Sequence, residues 1–168
     1  MKILKITLLI FCTFFAISFV NAQEKPKSPP ETATGKINGT TIQINYGSPS
    51  VRERKIWGEL VPFDQVWRAG ANEATTFETD KDLTIEGAKL PAGKYSFFII
   101  PNKTESTIIF NKEAKQWGAY KYNEKEDQLR VKVKPQTTSS KVEKLVYAIN
   151  ANDVTLSWDN WNIGFKVK

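Results

Sequence analysis

Tyr95-Ser96-Phe97-Phe98-Ile99-Ile100 lies between Gly93 and Pro101, and Thr107-Ile108-Ile109-Phe110 lies between Ser106 and Asn111. Only Pro101 to Glu105 separates the two runs. A strand with one solvent face alternates apolar and polar residues, whereas a strand covered on both faces does not. These unalternating runs therefore read as a central β-hairpin buried on both sides. Leu90-Pro91-Ala92-Gly93 supplies the turn that leads into it.

Outward from this hairpin the period becomes two. Ile42, Ile44 and Tyr46 alternate with Thr41, Gln43 and Asn45. Leu83 and Ile85 alternate with Thr84 and Glu86, and Leu129, Val131 and Val133 alternate with Arg130, Lys132 and Lys134 until Pro135. Val154, Leu156 and Trp158 form one further alternating set, and Trp161, Ile163, Phe165 and Val167 another. Each set predicts a half-buried strand, with Trp158 and Trp161 in the core. Leu145, Tyr147 and Ile149 suggest one more strand, and Val142–Ala148 also fits a short helix. Val61–Ala69 and Lys112–Lys115 fit short helical turns. Closely spaced strands without a long amphipathic helix predict an all-β fold, an antiparallel β-sandwich of roughly eight to ten strands.

The N-terminus reads differently. Lys2 and Lys5 precede an apolar stretch, Ile6–Val20, and Val20 and Ala22 suit a cut before Gln23. This is the layout of a secretory signal peptide over residues 1–22, and the apolar stretch falls short of the roughly 20 residues of a spanning helix. Residues 23–35, with Pro26, Pro29 and Pro30 among polar neighbours, read as a flexible linker. Residues 36–168 then form one sandwich domain. The expected location is outside the cytoplasm: periplasm, cell surface or extracellular.

The whole chain has 24 Lys and Arg against 18 Asp and Glu, a formal net charge of +6, one Cys, one Met and no His. The Cys, the Met and two of the lysines (Lys2 and Lys5) lie in the signal segment, so the exported part carries +4 and has neither thiol nor imidazole. That composition excludes a Ser-His-Asp triad, a Cys-His dyad, and zinc or haem sites built on His, Cys or Met. Neither a metal site nor a cofactor is expected. The positive charge is spread out, no Lys/Arg run reaches five, and no nucleic-acid or membrane partner is expected of the cleaved domain.

Unusual residues concentrate in Tyr46–Phe77, YGSPSVRERKIWGELVPFDQVWRAGANEATTF. The order Tyr46-Gly47-Ser48-Pro49-Ser50, Arg54-Lys55-Ile56-Trp57-Gly58, Val61-Pro62-Phe63 and Val66-Trp67-Arg68-Ala69-Gly70-Ala71-Asn72-Glu73-Ala74-Thr75 resembles domain-of-unknown-function family 2911. The resemblance continues through Leu90–Ser96, Ile99-Ile100-Pro101, Ile109-Phe110-Asn111 and Gln116-Trp117-Gly118-Ala119-Tyr120. It covers nearly all of the chain after the signal segment. It implies a secreted bacterial protein and brings no established activity. Glu53 departs from the family pattern, in which Gly usually precedes the Arg-Lys pair.

Ordered polar-aromatic loops on a rigid scaffold are where sites tend to lie. Arg52, Lys55 and Arg68 are candidate contacts for an anionic or polyhydroxyl ligand, such as an envelope glycan or a small anion. Trp67, Trp117 and Tyr120 are candidate apolar walls, and Asn72 and Glu73 candidate orienting groups. Plainer roles compete at each position. Arg52, Arg54 and Lys55 also suit a solvated loop balanced by Glu53 and Glu59, Trp67 suits core packing, and Glu73 suits an ion pair with Arg68. The leading reading is a binding module rather than an enzyme. One alternative is a His-free glycan hydrolase with Glu73 as acid/base, which requires a second carboxylate such as Glu59 or Asp64 nearby. The other is a purely structural envelope protein.

Overall fold

The computed structural model describes residues 26–168. The signal segment expected over residues 1–22 lies outside the described residues. Ten strands form the described part: β1 (Pro30–Ile37), β2 (Thr40–Gly47), β3 (Thr75–Thr79), β4 (Leu83–Ile85), β5 (Ala88–Leu90), β6 (Gly93–Ile100), β7 (Ser106–Asn111), β8 (Asp127–Val133), β9 (Gln136–Ile149) and β10 (Asp153–Lys166). Six of them make one antiparallel sheet in the order β1-β2-β3-β6-β7-β8. The central hairpin is β6–β7, and it is buried on both faces as its unalternating sequence predicts.

One face of this sheet carries Ile42, Ile44, Phe77, Phe97, Ile99, Ile108 and Phe110 into the main core. Against it lies the second layer, β9 and β10 with the small β4–β5 hairpin, supplying Leu145, Leu156, Ile163, Phe165, Ile85 and Leu90. The Phe165 ring sits against Phe77, Phe97 and Phe110 at centroid distances of 6.3, 5.8 and 5.9 Å and ties the two layers together. The opposite face of β6–β7 buries Phe98 and Ile109 with Ala74 beneath Val66, Ala119 and Tyr122. The loops that cover this second face are those on which the sequence placed its candidate residues.

Strand β10 doubles back on itself. Val167 N–H donates to Asn152 O at 2.8 Å, and a Cβ on Gly164 would stand 3.2 Å from Thr155 Oγ1. Asp159, at φ 51°, makes the reversal. The two alternating sets Val154–Trp158 and Trp161–Val167 are thus the two arms of a hairpin, and the change of phase between them puts both Trp158 and Trp161 inside.

Three local expectations are corrected, and the choice left open at Val142–Ala148 is decided. Residues 30–35 of the presumed linker belong to β1, an edge strand whose residues are mostly exposed and so leave no apolar period to read. Pro30 opens that strand, where a missing N–H costs no interior ladder bond. Thr75–Thr79, the end of a stretch read as polar loop, is an interior strand between β2 and β6. Val142–Ala148 is strand rather than helix. Neither Val61–Ala69 nor Lys112–Lys115 is helical; the one helical turn among the described residues is 3-10, Glu124–Glu126, capped by the Asn123 side chain accepting from Lys125 N–H at 3.2 Å.

Four tyrosines are tied into this structure with their ionisation suppressed. Burial is the main cause at Tyr46, Tyr95, Tyr122 and Tyr147; at Tyr122 a hydrogen bond from its hydroxyl to Asp127 Oδ2 adds to it. An unfolded chain releases these protons near the ordinary value of 10.0, so it binds fewer protons than the folded chain above that pH. The contribution is complete below pH about 10 and is lost as pH rises further. A guanidinium melt repeated from pH 8 to pH 11.5 is expected to show a falling midpoint above pH about 10, with most of the tyrosinate absorbance appearing together with unfolding. A flat midpoint through that range contradicts this.

Candidate functional site

The Tyr46–Phe77 segment is held by its own backbone and by aromatic packing. Arg52 and Glu53 both sit at positive φ, 50° and 59°, and Arg54 N–H donates to Val51 O at 3.1 Å. Those features define a type I′ turn, whose second central position favours glycine. A glycine, which the sequence resemblance implies at the place of Glu53, takes this conformation without strain. Glu53→Gly relieves the left-handed strain, and we expect a gain of about 1 kcal/mol, seen as a rise in Tm of roughly 3 °C.

Beyond the turn, Trp57 is the hub of an aromatic cluster. Its ring stacks on Trp161 at 4.7 Å and meets Trp67 and Trp158 edge-on at 5.7 and 6.1 Å. Trp67 stacks on Trp158 at 5.9 Å, and Phe63 on Trp161 at 5.7 Å. Trp67 also exchanges two backbone hydrogen bonds with Ile99 of β6. Partly buried, it packs against the main core, as the plainer reading expects.

The next stretch closes tightly on β2. Ala71 N–H donates to Gly47 O at 3.2 Å, and Ala69 O accepts from both Thr75 Oγ1 (3.0 Å) and the Tyr147 hydroxyl (2.7 Å). Ala69 and Asn72 hold positive φ of 52° and 66°. Residues 72–74 are thereby presented to the loop after β7. Gly118 N–H donates to Asn72 O at 3.1 Å, Ala74 N–H donates to Gln116 O at 2.9 Å, and Glu73 and Trp117 form an antiparallel bridge. Residues opposite each other in such a bridge project to the same side, with Cβ atoms roughly 5 Å apart. The neighbouring pair Ala74 and Gln116 is buried, so Glu73 and Trp117 project outward, both exposed, with Trp117 at 62%. Gln116 fixes the loop from inside: its Nε2 donates to Glu113 O at 2.8 Å and to Asn111 Oδ1 at 3.3 Å.

Glu73 and Trp117 stand on the rim of a groove of about 860 Å³. Its floor is the solvent-side row of the large sheet, where Thr32, Asn45 and Thr76 lie in register across β1, β2 and β3. The row is hydrogen-bonded internally: Thr32 Oγ1 donates to Asn45 Oδ1 at 2.8 Å, and Asn45 Nδ2 to Thr76 Oγ1 at 3.4 Å. Lys94 at the edge of the floor pairs with Glu78 at 3.2 Å. Glu31 and Lys115 add one charge of each sign to the lining.

The structure gathers Asn72, Glu73 and Trp117 of the candidate residues on this groove and leaves the others apart from its lining. Arg52 donates from Nη2 to Lys27 O at 3.0 Å, and its main-chain N–H donates to Glu143 Oε1. Lys55 pairs with Glu59 at 2.8 Å on the surface, as the solvated-loop reading expects. Arg68 lies against Gly118, and among the described ion pairs it has no carboxylate; the expected Arg68–Glu73 pair is not formed. Tyr120 is 83% exposed but outside the groove lining. Glu59 is committed to Lys55, and Asp64 accepts from Asn102 Nδ2 at 2.7 Å, so neither stands with Glu73 on the lining. Among the described residues no cluster of three or more His, Cys, Asp or Glu is arranged to hold a metal ion.

Sequence reasoning missed the floor. Asn45 and Thr76 occupy the polar positions of half-buried strands, which normally face plain solvent, and only the cross-strand register makes them one surface.

A family model described as a protein of unknown function, DUF2911, matches residues 28–167. The chain belongs to the DUF2911 family. The match runs from just before β1 to the end of the second layer, so both walls and the floor of the groove are DUF2911 structure. No curated protein and no solved structure matches the chain significantly. Among the described residues no helix is long and apolar enough to cross a membrane.

Proposed function

We propose that this DUF2911 domain is exported and binds a carbohydrate in the groove beneath Trp117. The observation that carries the reading is the bridge that sets Trp117 and Glu73 side by side above a neutral, hydroxyl- and amide-lined floor. A sugar ring has apolar C–H faces and a polar periphery. An exposed indole covers the first, and a carboxylate with Thr32, Asn45 and Thr76 accepts and donates hydrogen bonds around the second. The floor is hydrogen-bonded before any ligand arrives, which limits the entropy lost on binding. The signal-peptide layout of residues 1–22 supports encounter with envelope glycans.

Isothermal titration of the protein from Gln23 onward against neutral β-linked oligosaccharides, cellotetraose and chitotetraose, tests the reading. Binding of at least one is expected. Trp117→Ala is expected to weaken it about 30-fold, a loss of roughly 2 kcal/mol, as for a central aromatic contact. Glu73→Gln is expected to weaken it less, because the amide still accepts hydrogen bonds. Trp117 is exposed, so its replacement leaves Tm within about 1 °C. Absence of binding by both sugars, or wild-type affinity in Trp117→Ala, refutes the proposal.

A further inference from the structure

A second groove, of about 610 Å³, lies on the other outer face of the sandwich. Its floor is the solvent side of the β10 hairpin, where Thr155 lies beside Gly164. Gly164 has no side chain to raise from that floor, and Asn162 and Gln136, partners in the β9–β10 register, continue it. Lys134, Lys166 and Lys168 stand around it.

Two carboxylates, Glu86 and Asp153, share the lining with the lysines. Glu86 Oε1 accepts the main-chain N–H of Lys166. Asp153 Oδ1 accepts from Asn150 Nδ2 at 2.7 Å and from Thr155 Oγ1 at 3.0 Å. None of the three lysines forms an ion pair with any carboxylate among the described residues. Elsewhere among the described residues Lys55, Lys89, Lys94, Lys112, Lys132 and Lys141 are each within reach of one, and the other lysines, Lys36, Lys121 and Lys125 among them, are not. Three ammonium groups, two on β10 and its end and one from just past β8, line the trough with two carboxylates, so the side chains of the lining carry an excess of one positive charge that favours an anion.

We propose that this groove binds a phosphate group carried on a polyol. An ammonium group is a compact point charge with three donors, suited to phosphate oxygens approached from different directions. The hydroxyl of Thr155 and the amides of Asn162, Gln136 and Asn152 provide neutral partners for the attached hydroxyl groups. The site does not depend on the Trp117 groove, which lies on the solvent face of the other sheet.

Such a phosphate has two sources, a phosphorylated sugar or a phospholipid headgroup, and one set of variants distinguishes them. Amide NMR shifts are followed on adding glucose 6-phosphate, with glucose as the neutral comparison. Saturable shifts confined to residues around Thr155, Asn162 and Gly164 are expected with the phosphate alone, weakening at least tenfold in Lys134→Gln/Lys166→Gln/Lys168→Gln. A charge-matched triple, Lys36→Gln/Lys121→Gln/Lys125→Gln, removes three lysines outside both grooves and is expected to retain the binding. Co-sedimentation with phosphatidylglycerol-containing vesicles, lost only in the groove variant, assigns the headgroup as the source; groove binding of glucose 6-phosphate without sedimentation assigns the sugar. No saturable shift together with no sedimentation, equal shifts with glucose, or equal loss in both triples overturns the proposal. Thermal melts of both triples establish that the variants are folded.

Discussion

Gly47→Ala is expected to cost about 3–5 kcal/mol and to lower Tm by roughly 10–15 °C. A Cβ at this position would lie 2.2 Å from Ala71 O, a backbone atom that cannot rotate aside. The stretch around Ala71 must therefore move as a unit. It is held through Ala71 N–H to Gly47 O and presents residues 72–74 to the Trp117 loop. Moving it breaks the Glu73–Trp117 bridge, so carbohydrate binding is expected to fall along with stability. Gly39→Ala is the informative comparison. Gly39, unlike Gly47, has positive φ, 76°, and open space around it. It is expected to cost only about 1 kcal/mol, the backbone term alone. Equal effects at the two glycines contradict the argument from close approach.

Trp57→Ala is the second large effect, expected at about 3–5 kcal/mol from lost burial and the cavity left among three other tryptophans. Its loss should reduce near-ultraviolet circular dichroism, since Trp67, Trp158 and Trp161 all lose a ring neighbour. The Trp57 Nε1 is buried without a hydrogen-bond partner. Trp57→Phe therefore gives up volume but no hydrogen bond, and is expected to cost about 1–2 kcal/mol. Chemical denaturation of the two variants side by side measures the difference. If Phe costs as much as Ala, aromatic packing is not what Trp57 contributes.

These two variants bear on why a long polar-aromatic motif is easily taken for a ligand site. In the Tyr46–Thr75 segment most of the special residues serve the chain itself. Gly47 admits a backbone oxygen, Arg52 and Glu53 make a turn, and Trp57 and Trp67 fill a core. A tryptophan quoted in a linear motif looks the same whether its ring is inside or outside. Trp117 and Trp67 both stand in the quoted motifs, yet one is exposed and the other stacked on Trp158. What separates them is which strand edge each loop pairs with. The Trp117 loop pairs with residues 72–74, which lie far from it in sequence. The helical turns anticipated at Val61–Ala69 and Lys112–Lys115 failed for a related reason. Those residues find hydrogen-bond partners in other elements, such as Trp67 with Ile99 and Lys112 with Glu126.

The sequence by itself determined the all-β class, the doubly buried hairpin β6–β7, and both arms of the β10 hairpin, because alternation along a strand records which faces are wet. Its lack of His also excluded the chemistry an imidazole performs. Tertiary structure alone decided that Thr32, Asn45 and Thr76 form one floor, that Glu73 stands beside Trp117, and that three lysines surround Gly164. Alternation assigns a residue to a face, but a surface is assembled from neighbours on other strands. Cross-strand register and loop docking choose those neighbours through contacts between residues distant in the chain.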